Sequence, residues 1–192
     1  MRSIPVIAIS ACAGLALGGH VTAPSGQASA TTESPAFFTI TVDVSGSQFW
    51  DTQGSSFNEI LQIDLGPNFF VKGIGWDLTL TTVGTSWASD AIISFQDEIY
   101  LTPAVGDDYG VTNNRYFSGG IIDLSDNGYN DIHVDPDGYL NLELYEAFDD
   151  NPEAIDAFLE AGSVLYLNVA YPTPGSAVAL SLGVLCCSRR RR

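Results

Sequence analysis

The densest chemistry in this chain is a run of oxygen donors, Asp123-Leu124-Ser125-Asp126-Asn127-Gly128, which continues to Asp131 and then to Asp135-Pro136-Asp137-Gly138. Hard cations such as calcium take about six to eight oxygen ligands, and a glycine lets the backbone turn around the ion. If calcium binds here, Asp123, Asp126, Asp131, Asp135 and Asp137 are the expected ligands. The run lacks a complete loop of about twelve residues closed by a bidentate Glu, and Asx-Gly pairs also make ordinary hairpin turns. Solvated turns are the competing reading.

Other candidate chemistry is thinner. His133 is the single histidine beyond the first thirty residues, and no nucleophile-elbow pattern accompanies it. A Ser-His-Asp relay or a zinc site would need more partners than the chain supplies, so His133 reads as a structural or surface residue. A glycosidase needs two carboxylates about 5–10 Å apart across a cleft. Among 23 acids some pair always qualifies by chance, and nothing singles out Glu143, Glu146 or Asp97-Glu98. No catalytic residue is expected, and the chain is not read as an enzyme. Trp50, beside Asp51, and Trp87, within Thr85-Ser86-Trp87-Ala88-Ser89, lie near loops and are the residues expected to stack on sugar faces. Partial burial in the core is their plainer role. Trp76 shares the phase of Ile74 and Leu78 and is expected in the core.

The scaffold for these side chains is written in period two, the repeat of a strand with one buried face. Phe38, Ile40, Val42 and Val44 alternate with Thr39, Thr41 and Asp43, and the same rhythm runs through Leu61–Leu65, Ile74–Leu80, Leu140–Leu144 and Leu165–Val169. Shorter pairs are Ile93 with Phe95 and Ile99 with Leu101. Turn chemistry bounds each run, as at Ser45-Gly46, Gly66-Pro67-Asn68 and Asp137-Gly138. The expectation is an all-β fold: a single antiparallel β-sandwich or jelly-roll-like domain of roughly eight to ten strands. One short helix is expected from Pro152 to Ala161, with Pro152 and Glu153 in its first turn and Gly162 as its stop.

Charge narrows the partners. The net charge is −16, and setting aside Arg2 and the four terminal arginines leaves the middle of the chain at −21. Only Lys72 and Arg115 oppose the acids there. Such a surface repels phosphate backbones and anionic headgroups, which excludes nucleic acid as an expected partner. It suits cations or neutral polysaccharide. All three cysteines, Cys12, Cys186 and Cys187, fall in apolar ends, so the middle has no disulfide framework.

Those ends carry the cellular address. Arg2, an apolar stretch from Ile4 to Leu17 and the small residues Ala28-Ser29-Ala30 follow the order of a secretory signal, with signal peptidase cleavage expected after Ala30. A plain membrane anchor and a lipobox-like cut at Cys12 are the alternatives. At the other end Pro172-Thr173-Pro174-Gly175-Ser176 leads into the apolar run Ala177–Cys187 and then Arg189, Arg190, Arg191 and Arg192. The arginines resist translocation and are expected to stay cytoplasmic, with the rest of the chain outside. The apolar run is short for a permanent span.

The Pro-x-Pro-Gly motif, short apolar segment and terminal arginine cluster together resemble the PEP-CTERM sorting signal of bacterial exopolysaccharide-associated proteins, also named as a C-terminal domain of ice-binding proteins. Thr173 stands where that motif has Glu. The resemblance covers residues 172–192 and implies recognition by an exosortase-type membrane protease, cleavage near Pro172–Gly175 and delivery to the outer surface. Tail anchoring without cleavage is the alternative. A flat threonine array for ice is not present, since Thr79, Thr81 and Thr82 are too few.

The expected organisation is a signal peptide at 1–30, a linker at 31–35, a β-sandwich ectodomain at 36–171 and a sorting and transmembrane segment at 172–192, with a helix at each end. The expected function is a structural or binding role in the extracellular, exopolysaccharide matrix, with no resident cofactor unless calcium binds. A carbohydrate-active hydrolase and a calcium-stabilised adhesion module are the alternatives.

Overall fold

Runs in which every second residue is apolar become strands whose apolar rows face one another across two sheets. The computed structural model describes residues 2–3, 37–106, 108–152 and 154–171. Ala28, Ala30, the 31–35 linker and the sorting segment 172–192 with its prolines and arginines lie outside the described residues, as does the signal segment apart from Arg2–Ser3.

In chain order the strands are β1 (Arg2–Ser3), β2 (Phe37–Asp43), β3 (Gln48–Phe49), β4 (Glu59–Asp64), β5 (Phe70–Thr82), β6 (Ala91–Phe95), β7 (Ile99–Leu101), β8 (Asn114–Phe117), β9 (Ile122–Asp123), β10 (Ile132–His133), β11 (Tyr139–Glu146), β12 (Ala157–Leu159) and β13 (Val164–Ala170). One sheet has the order β1-β4-β11-β6-β7, and the other β2-β13-β5-β12-β3. Strands β8, β9 and β10 pair along β5 as well. Apart from the two-residue parallel pairing of β1 with β4, the ladders are antiparallel. The body is an all-β sandwich, as the alternation predicts.

The core is the inward row of each strand. Leu140, Leu142 and Leu144 from β11 meet Leu165, Leu167 and Val169 from β13, with Leu61, Ile93, Phe95, Leu78 and Leu80 around them, all buried. Each such side chain removed from water stabilises by about 1.5–3 kcal/mol, so these rows hold the sheets together. Trp76 is half-buried and packs against this core.

Strand β5 is the spine of the second sheet, and a bulge at Lys72 resets its phase. Asn168 pairs with Gly73 and Val169 with Val71, leaving Lys72 as the extra residue. Val71 and Ile74 both face the core as a result, although three positions separate them. Gly73 and Gly75 have a separate purpose. A Cβ on Gly73 would stand 2.7 Å from Ile121 Cγ2, and one on Gly75 would stand 2.8 Å from the Gly120 carbonyl oxygen. Bare backbone at both positions admits the 118–123 segment against the sheet.

The expected Pro152–Ala161 helix is corrected. Ala157–Leu159 is a strand instead, with Ala157 and Leu159 inward, paired to β3 and to the end of β5. Tertiary hydrogen bonds outweigh the local helical signals. The backbone N–H groups of Asp156 and Leu159 donate to the carbonyls of Phe49 and Ser47 at 3.0 and 2.9 Å. Among the described residues the only helical pieces are two single 3₁₀ turns, Ala88–Asp90 and Ser125–Asn127.

Candidate functional site

The connection from Asp123 to Asp137 folds as surface turns in which four of the five acids have a hydrogen-bond or ion-pair donor and Asp131 Oδ1 is buried without one. Asp123 Oδ1 accepts from the Ser125 hydroxyl at 2.7 Å and from the Asp126 N–H at 3.1 Å, and these bonds, the Ser125 hydroxyl first, hold its carboxyl below the usual range. Asp131 is paired with Lys72, Asp135 accepts from Gln96 Nε2 at 3.3 Å, and Asp137 accepts from the Tyr139 N–H at 3.0 Å. Asp126 is exposed. Among the described residues no group of three or more His, Cys, Asp or Glu side chains is placed to hold a metal ion. His133 is exposed, its ring 4.8 Å from that of Phe70.

The two loop tryptophans occupy different settings. Trp50 follows β3 and is half-buried, lining a groove of about 430 Å³ with Gly46, Gln48, Ser56, Phe57, Asn58 and Glu59. Phe57 is 68% exposed, so the groove combines open aromatic surface with polar edges. Its floor is rigidly held. The Gln48 N–H donates to Glu59 Oε2 at 2.9 Å and the Asp51 N–H to Asn58 Oδ1 at 3.1 Å, while Asn58 Nδ2 donates to Glu143 Oε1 at 2.8 Å. Glu143 also accepts from the Gly54 N–H, so its Oε1 pins the 50–58 loop. Trp87 lies at the surface beside Tyr109, with ring centroids 5.4 Å apart in an edge-on contact.

A third constellation was missed at the level of sequence. Glu146, at the end of β11, is fully buried and neither carboxylate oxygen has a hydrogen-bond partner. Asp156, just before β12, is also fully buried; its Oδ1 accepts from the Ser86 hydroxyl at 2.8 Å and its Oδ2 has no partner. The two come from opposite sheets. Asp150 Oδ2 is another buried oxygen without a donor.

Backbone bonds fix this end of the sandwich. The Glu146 N–H donates to the Asp51 carbonyl at 2.9 Å, the Ala147 N–H to Asp90 at 2.8 Å, and the Val83 N–H to Asp156 at 2.7 Å. Burial first, and then repulsion from Asp156, Asp90, Asp150 and Asp149, pushes the Glu146 carboxyl up to about 9. Burial likewise raises Asp156, against the opposing Ser86 bond, and raises Asp90 together with repulsion from Asp150. Lys72 and Arg115, the only Lys or Arg between residues 37 and 171, are committed elsewhere, to Asp131 and Asp77.

One signal for this cluster was visible in the sequence. Glu146 continues the even-numbered inward row of Leu140, Leu142 and Leu144, which places a carboxylate in a core position. Asp156 had no such mark, because its burial depends on β12 replacing the expected helix. No protein-family model, curated protein or solved structure matches this chain. Among the described residues no helix is long and apolar enough to cross a membrane.

Proposed function

We propose that this chain is an exported β-sandwich that serves as a structural and binding module of the extracellular matrix and grips neutral polysaccharide at the Trp50 groove. Signal peptidase removes residues 1–30, and an exosortase-type protease acts on the 172–192 tail to deliver the body to the cell surface. The observation that carries the binding role is the pairing of Trp50 and exposed Phe57 with Gln48 and Ser56 in one groove. Flat aromatic faces grip the apolar side of a sugar ring while amide and hydroxyl groups meet its edges. The acidic surface disfavours anionic glycans and nucleic acid.

A hydrolase is the less favoured reading. Glu143 is tied to Gly54 and Asn58, Asp97 accepts from Gln53 and Ser94, and Glu146 is buried away from any substrate.

Affinity electrophoresis or calorimetry of the mature chain against neutral and anionic exopolysaccharides tests the binding role. Trp50→Ala is expected to weaken neutral-glycan binding by about tenfold or more, the scale of a lost aromatic anchor. Retardation unchanged in that variant would rule the groove out. Mass spectrometry of native material is expected to find Thr31 at the N-terminus and no Arg189–Arg192. Intact terminal arginines on mature protein would count against tail removal.

A further inference from the structure

We propose that the end of the sandwich carrying Phe37, Phe69 and Tyr171 seats on the zwitterionic headgroup layer of the bilayer that holds the tail, and so points the Trp50 groove away from the membrane. This rests on the reading of residues 172–192 as a membrane-inserting tail.

Strand register gathers the aromatic residues at one end. Phe37 pairs with Ala170, Ala170 with Phe70 and Phe70 with His133, so these four share one row on the outer face of the second sheet. The Tyr171 ring lies 5.2 Å from that of Phe38 and 5.0 Å from that of Phe69, which are 6.0 Å from each other. Phe37 and Tyr171 nevertheless stay 50% and 51% exposed. Rings that are held in place by packing and still left in water mark a contact surface.

The chain that follows names the partner. Five residues, Pro172–Ser176, separate Tyr171 from the apolar run Ala177–Cys187. Fully extended they reach at most about 18 Å. A helix as long as the apolar run covers about 17 Å, against about 30 Å of hydrocarbon, and such a mismatch draws flanking residues toward the bilayer. Tyrosine is favoured at that level because its ring is apolar and its hydroxyl polar. The neighbouring turns select the lipid. The Val134 N–H donates to the Phe69 carbonyl at 2.8 Å and Gly138 abuts Gly66, so exposed Asp64, Asp135 and Asp137 belong to this end. Anionic headgroups repel them, and zwitterionic ones do not.

The same geometry sets the orientation. Strand β5 runs thirteen residues from Phe70 at this end to Thr82, about 40 Å along the sandwich. Thr82 pairs with Ala157 and Ala157 with Phe49, next to Trp50. Seating the aromatic end therefore turns the groove outward, toward polysaccharide.

The test floats the mature chain with its tail, carrying Phe37→Trp, on phosphatidylcholine vesicles whose acyl chains are brominated near the headgroups. Its tryptophan fluorescence is compared with that of the wild type, whose Trp50, Trp76 and Trp87 lie farther along the sandwich. The introduced indole is expected to be quenched by about half or more, and the wild type little. Adding Tyr171→Asp is expected to preserve flotation and the circular dichroism spectrum but remove most of that quenching. Anionic lipid is expected to leave the quenching unchanged or lower it. A chain that floats without quenching overturns the docking and leaves the tail reading standing; shielding of the introduced indole from acrylamide would then assign the face to a second copy. Quenching only with anionic lipid overturns the choice of headgroup. Failure to float overturns the tail reading, and the docking with it.

Discussion

The chain has two acid-rich connections of similar composition, and they end in opposite environments. Residues 123–137 link β9, β10 and β11 and lie mostly at the surface: Asp123, Asp131, Asp135 and Asp137 accept from a hydroxyl, N–H, amide or ammonium donor, Asp126 is exposed, and one oxygen, Asp131 Oδ1, is buried without a partner. Residues 146–156 cross from one sheet to the other and drive Glu146 and Asp156 under the end of the core, where oxygens go unmatched. Acid content is therefore a poor guide to chemistry. Desolvation makes a carboxylate demanding, and it goes furthest in the second connection, where Glu146 and Asp156 are fully buried.

The largest effect that separates the two regions is pH dependence. Glu146 titrates at about 9 in the folded protein against 4.5 when unfolded, so the folded state holds its proton longer. The sign follows directly: stability is highest below pH 4.5, declines as pH rises through the interval, and levels off above about 9. At roughly 1.4 kcal/mol per pH unit, the loss by pH 7 is about 3 kcal/mol. Denaturant titrations should show this decline in the wild type and its marked reduction in Glu146→Gln. A wild-type profile flat from pH 5 to 8 would mean that the Glu146 carboxyl is matched after all.

A smaller effect is expected at Ser86. Its hydroxyl is the hydrogen-bond donor to Asp156 Oδ1, so Ser86→Ala leaves a further buried oxygen bare and should cost about 1–3 kcal/mol. Equal stability with and without the hydroxyl would break the claim that this pocket is dry.

Smaller again is the ion pair of the solvated connection. Lys72 and Asp131 are both partly exposed, and Lys72→Ala should cost at most about 1 kcal/mol, less as salt is raised. The least effect is expected from Asp126→Asn and Asp135→Asn, which should leave Tm within about 2 °C of wild type. If these outer substitutions destabilised more than Ser86→Ala, the contrast between the regions would be reversed.

Much of the architecture was legible because a strand with one buried face writes itself every second residue. The rows through Val42, Ile63, Leu78, Leu142 and Leu167 all became inward faces of the sandwich, and the glycine-rich punctuation marked its turns. Trp50 was identified as a loop tryptophan by its neighbours, and it lines a groove. Local pattern was sufficient there because burial on one face is a property each strand carries in its own residues.

The 152–161 segment shows where that reasoning stops. Its local signals are helical, yet β3 and the last residues of β5 offer hydrogen bonds that only the assembled sheet can present, and Ala157–Leu159 takes them. The same assembly decides which carboxylates matter. Glu146 and Asp156 lie ten positions apart in the chain and belong to different sheets, so nothing in either one's neighbourhood foretells that they will share a dry pocket. The alternating pattern settled which way each strand faces. Only packing one sheet on the other determined which charges lost their water, because desolvation depends on what lies across the interface and not on what lies next along the chain.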